Sequence, residues 1–191
     1  MTEALGTRDR IVHTTSKLMQ RQGYEATGIK QIAREASATL GSVYHFFPGG
    51  KQELAVAAIR HADAEFAEML TAILAKHPDP GEAVYQAAAE TGVYLRETDW
   101  AEGCPVTATA LETAGRVPEI QRACVETFAN WERIIFEKLN SCGFAEELAR
   151  ELAGTVLSSL SGAEVSAQVN RDVQPLETAG RHMQRLINSY R

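Results

Sequence analysis

No stretch of this chain approaches the ~18 consecutive apolar residues that a membrane-spanning helix requires. Met1 to Arg10 also lack the apolar centre of a secretory leader. Cysteine is scarce, with three residues at 104, 124 and 142, and an odd number at wide spacing indicates neither a disulfide framework nor a zinc site. The five histidines, at 13, 45, 61, 77 and 182, are scattered without the spacing of a metal centre or a catalytic triad. His61 and Glu65 make an i, i+4 pair that reads as a surface contact. Internal repeats and low-complexity segments are missing too. These absences lead to the expectation of a cytoplasmic protein that is not an enzyme and holds no metal or cofactor. What remains is ordinary: 45% hydrophobic and 23% charged residues are typical of a globular chain. Its 191 residues suffice for one small domain plus a second with a sizeable core.

The net charge of −6 is unevenly spread. Residues 1–60 carry eight cations (Arg8, Arg10, Lys17, Arg21, Lys30, Arg34, Lys51, Arg60) and five anions, whereas the rest carries eleven cations and twenty anions. A basic head on an acidic body attracts phosphates at one end only.

Within that head, Thr27 to Leu54 reads TGIKQIAREASATLGSVYHFFPGGKQEL. Thr27 is placed as an N-cap, and Ile29, Ile32 and Ala33 give one apolar stripe behind it. Ala36 to Ala38 suit a close turn, and Thr39 is a second cap. The helix after it carries Val43, Phe46 and Phe47 inward and leaves Leu40, Gly41, Ser42, Tyr44 and His45 outward. Two short helices joined by such a turn form a helix-turn-helix, one buttress and one reader for a major groove. Ahead of it, residues 7–22 read as a supporting helix with Thr7 as cap and Gly23 as stop, offering Arg8 or Arg10 to phosphates. Thr27, Lys30, Thr39, Leu40, Gly41, Ser42, Tyr44, His45 and Lys51 are the candidate DNA-binding residues. Thr27 and Thr39 sit at helix starts, where free amides suit phosphate oxygens. Lys51 opens the next helix behind the Gly49-Gly50 turn.

The segment ASATLGSVYHFFPGGKQEL resembles the recognition segment of the TetR family of one-component bacterial repressors. Its Gly-Ser-Val-Tyr-His core and the following lysine carry the likeness, which covers about the first 60 residues. The Pro-Gly-Gly-Lys corner and Gly103-Cys104-Pro105 are similar to the LmrA/YxaF-like subgroup. The resemblance implies a phosphate contact for the Tyr44 hydroxyl. Two positions depart from the family pattern: Leu40 replaces a frequent lysine or polar residue, and Phe46 a frequent histidine. Losing a cation weakens the salt-dependent phosphate contribution, while a leucine meets a thymine methyl.

Beyond the head the spacing predicts a long helix from Gln52 to about Ala75, broken at His77-Pro78-Asp79-Pro80-Gly81. Further helices follow over about 82–98, 105–114, 118–141, 145–169 and 174–189. The expected fold is all-α, with about nine helices: a three-helix DNA-binding domain over 1–50 and a helical ligand-binding and dimerisation domain over 51–191. Phe66, Met69, Tyr94, Trp100, Cys104, Phe128 and Trp131 are the side chains expected around an apolar pocket. Three readings stay open for Cys104: a small buried hydrophobe, a pocket wall, or a redox sensor.

The resemblance implies a homodimer through helices 145–169 and 174–189. It implies a repressor that binds a palindromic double-stranded operator and is released by a small hydrophobic or aromatic inducer. The subgroup points to a planar aromatic such as a flavonoid and to a drug-efflux or detoxification gene. The 52–75 helix is the expected transmitter between domains. The alternative is a redox-sensing regulator keyed on Cys104.

Overall fold

The computed structural model describes residues 5–191; Glu3, one of the anions counted above, lies outside them. Among the described residues there are nine α-helices and no strand. In order they are α1 Thr7–Ala26, α2 Ile29–Glu35, α3 Leu40–Phe46, α4 Gly50–Lys76, α5 Pro80–Glu97, α6 Pro105–Thr113, α7 Pro118–Ser141, α8 Glu146–Asn170 and α9 Gln174–Asn188. The all-α expectation is met, and most helix ends fall within a few residues of those the periodicity predicts. No helix among the described residues is long and apolar enough to cross a membrane.

The chain divides into two compact units. One joins residues up to Ala64 to Cys104–Thr127, and the other joins Glu65–Gly103 to Phe128–Arg191. In the first unit, Ile11, Val12 and Leu18 of α1, Ile32 and Ala33 of α2, Val43 of α3, Phe47 just after α3, and Leu54 of α4 close one apolar core. Ile32, Ala33, Val43 and Phe47 are inward positions of the helix-turn-helix pattern, and Ile29 and Phe46 are partly buried against the same core. Fully burying a large apolar side chain contributes about 1.5–3 kcal/mol. α6 packs along α1 in the same unit.

Two helix starts and one helix end differ from expectation. Thr7 lies inside α1, and Gly6 is its cap position. Thr27 does not cap α2; Gly28 does, and the Thr27 hydroxyl instead donates to the Gly23 carbonyl at 2.6 Å. A buried threonine, 1% exposed, gains more from closing the preceding turn than from facing solvent. α1 also continues past Gly23. That residue is left-handed at φ 78°, ψ 175°, a conformation glycine reaches without steric cost, and it kinks the helix rather than ending it.

The second unit has its core at Leu70, Ile73 and Leu74 of α4, Ala83, Val84 and Ala87 of α5, Ile134, Ile135 and Leu139 of α7, Leu152 and Val156 of α8, and Ile187 of α9. α5 and α9 approach closely because Gly180 faces Ala88 and Tyr85. A β-carbon at 180 would stand 2.9 Å from that of Ala88. The predicted break before α5 is confirmed and tightened. Asp79 is the N-cap, its carboxylate accepting from the Glu82 amide at 2.7 Å, and Pro80 takes the first turn, where it needs no donor.

Candidate nucleic-acid interface

The turn between α2 and α3 uses Ala36 and Ser37, with Ser37 left-handed at φ 51°. Thr39 is the N-cap of α3 as expected, its hydroxyl accepting from the Ser42 amide at 3.0 Å. The Thr39 and Ser42 hydroxyls lie 2.9 Å apart, so each orients the other at the helix start, where the peptide dipole favours an anion. Val43 and Phe47 are buried, and Phe46 is half-buried against the same core. The opposite face presents Leu40 (41% exposed) and Tyr44 (52% exposed), with Gly41 and His45 also exposed and Ser42 half-buried. Those two exposures matter because large apolar or aromatic side chains left in solvent on so short a helix gain nothing from the fold.

Lys30 stands exposed on α2. Lys51 does not extend freely. Its Nζ donates to the Glu25 carbonyl at 3.0 Å and sits 4.3 Å from the centre of the Tyr24 ring, a cation–π contact. Tyr24 is buried, and burial raises its phenol above the usual range; the Glu25 carboxylate adds to the rise and Arg116 opposes it. Arg10 is occupied likewise, donating to the Leu5 carbonyl at 2.9 Å and the Ala36 carbonyl at 3.4 Å. It braces the turn between the two motif helices. Arg8 lies exposed over Phe47, 5.5 Å from the ring centre.

Two supporting residues escaped the sequence reading. Glu53 accepts from the Gly49 amide at 2.7 Å, tying the Pro48–Gly50 corner to the first turn of α4. A carboxylate this close after a Gly-Gly turn is a local signal that capping patterns reveal. Glu112 of α6 accepts from the backbone amides of Tyr24 and Glu25 at 2.6 and 3.0 Å. It fixes the backbone whose carbonyl and ring hold Lys51. The partners are 88 positions apart, and no local pattern announces the pairing.

The residues expected around a pocket separate into groups. Phe66, Phe128 and Trp131 come together in the second unit, with ring centroids 4.5 Å (Phe66–Trp131) and 5.6 Å (Phe128–Trp131) apart. Trp131 is 4% exposed, and its indole Nε1 has no hydrogen-bond partner. Such a group costs about 1–3 kcal/mol unless something accepts from it. Met69 is exposed. Tyr94 donates to the Glu102 carboxylate at 2.6 Å, and Trp100 packs on a separate cluster of Leu95, Ala163, Ala167 and Leu176. Cys104 belongs to the first unit, where its Sγ caps α6 by accepting from the Thr107 amide at 3.4 Å. In the first unit an open groove of about 590 Å³ runs past Gln52, Val56, Arg60, Glu119 and Arg122. Its charged walls differ from the apolar lining expected for an inducer.

Comparison with known proteins gives the class. Residues 11–58 match the model of bacterial regulatory proteins of the tetR family. Residues 80–182 match the C-terminal domain of LmrA/YxaF-like transcriptional regulators. The chain therefore belongs to the TetR family of transcriptional regulators, with an LmrA/YxaF-like C-terminal domain, and this is a family of regulators rather than enzymes. Among relatives, the uncharacterized HTH-type regulator YxaF of Bacillus subtilis strain 168 is 36% identical over 92% of each chain. LmrA of the same organism is 30% identical over 88% of this chain and 90% of its own. A TetR regulator from Legionella pneumophila has the same fold, with a TM-score of 0.85 at 21% identity over 97% of this chain and 99% of its own. CifR, a family member solved in complex with double-stranded operator DNA, superposes with a TM-score of 0.81 at 20% identity, over 97% of this chain and 98% of its own.

Proposed function

We propose that this chain is a cytoplasmic homodimeric repressor that binds a palindromic operator and releases it when a small aromatic molecule enters the second half of the chain. The observation that carries the DNA reading is α3 itself. It is a capped helix whose inner face is fully used in the core and whose outer face leaves Leu40, Tyr44 and His45 in solvent. Thr39, Ser42, Lys30 and Lys51 surround that face with hydroxyls and charge. In this reading residues 1–50 are the DNA-binding domain and 51–191 the ligand-binding and dimerisation domain. The family's DNA-binding habit and the operator complex of CifR support it. Of the residues named from sequence, Thr27 contributes by holding the α1–α2 corner, because its side chain is buried.

The ligand part rests on Phe66, Phe128 and the unpaired Trp131 Nε1. Aromatic walls with one unsatisfied donor suit a planar aromatic compound that carries an acceptor, such as a flavonoid. The ligand shifts the equilibrium only if it favours the arrangement of the paired heads that DNA does not. α4, a single helix of 27 residues and so about 40 Å long, is the element that transmits the change. An operator fragment from the promoter beside the gene is titrated with and without a flavonoid panel. Wild-type protein should lose operator affinity at least tenfold with an active compound. Trp131→Phe should require about tenfold more of it while binding DNA as before. Ligand binding that leaves operator affinity unchanged would refute the induction mechanism.

A further inference from the structure

The histidines that look scattered along the chain are not all apart in the fold. His13 on α1 and His61 on α4 are 48 positions apart, yet Nδ1 of the first lies 3.3 Å from Nε2 of the second. The rings meet edge-on, 5.5 Å between centroids at 76°, and both are half-buried. Glu65 follows His61 by one turn of α4, exposed. One ligand atom from each of the three groups lies within 4.8 Å of the others.

We infer that His13, His61 and Glu65 bind a divalent transition-metal ion, with Zn²⁺ the best-matched candidate. Zinc–imidazole bonds run ~2.0–2.1 Å, so two nitrogens on one tetrahedral ion stand roughly 3.3 Å apart. The two nitrogens already hold that separation. The carboxylate must close by roughly 1–2 Å, which an exposed glutamate achieves by a change of rotamer. Two imidazoles and one carboxylate are a ligand set that zinc accepts with its fourth position open. The nitrogen-rich set also suits nickel or copper.

Both nitrogens present lone pairs when the ring protons sit on His13 Nε2 and His61 Nδ1. Without metal, one ring donates to the other across the same distance. Binding therefore needs a tautomer change and little movement of the backbone. The ion would tie α1 to α4, the two helices on either side of the helix-turn-helix in sequence. This site is independent of the operator reading and of the aromatic cluster around Trp131.

The test is made on the full-length protein, stripped by a chelator, with ZnCl₂ in calorimetry and CoCl₂ in absorption spectroscopy. Wild type should bind one Zn²⁺ per chain and melt at higher temperature with it. Co²⁺ should give tetrahedral bands without a thiolate charge-transfer band, which separates this site from the three cysteines. His13→Gln and His61→Gln should each weaken zinc at least tenfold, and Glu65→Gln about tenfold. His182→Gln, an exposed histidine elsewhere, should leave it unchanged. Circular dichroism confirms that each variant is folded, and Glu65, being exposed, keeps the test valid if a histidine variant unfolds. No zinc binding at about 100 µM, thiolate bands with cobalt, or Glu65→Gln within about threefold of wild type would overturn the site.

Discussion

Gly23 shows how one residue sets the geometry of the head. At φ 78° and ψ 175°, a region essentially reserved for glycine, an L side chain is strained by about 1–3 kcal/mol. A β-carbon there would also stand 2.1 Å from a Glu112 oxygen, the same side chain whose carboxylate accepts from the Tyr24 and Glu25 amides. Gly23→Ala should therefore destabilise the protein by about 3 kcal/mol, the backbone strain plus the loss of about one or two hydrogen bonds to a charged acceptor. Glu112→Ala alone should cost about 1–3 kcal/mol by stranding the two amides. In the double variant the clash is gone, so the combined loss should fall short of the sum of the singles, a coupling read from urea unfolding. Strict additivity would mean that the carboxylate does not hold the kink. Sequence alone shows a glycine near a helix end and reads it as a stop. The 88-residue separation of its true partner hides the rest.

At the scale of the element, α3 divides its labour between its cap and its outer face. Leu40 and Tyr44 are exposed, the proposed base and phosphate contacts of this helix, whereas Lys51 is held by the α1 end. Lys51→Ala should lower affinity for specific and random DNA alike and reduce the salt slope by about one phosphate contact. Leu40→Ala should leave that slope alone and lower the preference for thymine at one operator position by about 1 kcal/mol. Fluorescence anisotropy with an operator and its single-base variants, at several salt concentrations, reads both. A Leu40→Ala protein with unaltered preference would show that the leucine does not read the base.

This helix was the most legible part of the chain. Val43, Phe46 and Phe47 at helical spacing, with a hydroxyl ahead of them, dictate which face turns inward. Thr27 departs from its expected cap role because a hydroxyl at a helix start and a hydroxyl bonding back to a carbonyl four residues earlier look alike in sequence. Burial decided between them. The metal cluster was illegible for a different reason. His13 and His61 are brought together by the packing of α1 and α4 and by no local pattern.

For the whole molecule, the question is what a second copy would use. α8 carries Ser158, Gly162, Val165 and Val169 at successive helical spacings, all exposed; Val169 is 77% exposed and Val165 46%. Small and β-branched residues in one stripe allow close approach of a partner helix, and the palindromic operator proposed above would demand a two-fold protein. Val169 is 77% exposed to solvent, so introducing charge there should cost the monomer less than about 0.5 kcal/mol. In a dimer interface the same charge would be buried without a partner and cost several kcal/mol. The proposed dimer predicts that wild type sediments as a dimer and Val169→Glu as a monomer at the same concentration, with an unchanged circular dichroism spectrum. The variant should also bind the operator at least a hundredfold more weakly, because each half-site then binds alone. Val125→Glu on α7, likewise exposed at 60%, is the matched control and should leave association intact. A Val169→Glu protein that remains dimeric would move the interface off this face of α8, while leaving the reader helix and its caps untouched.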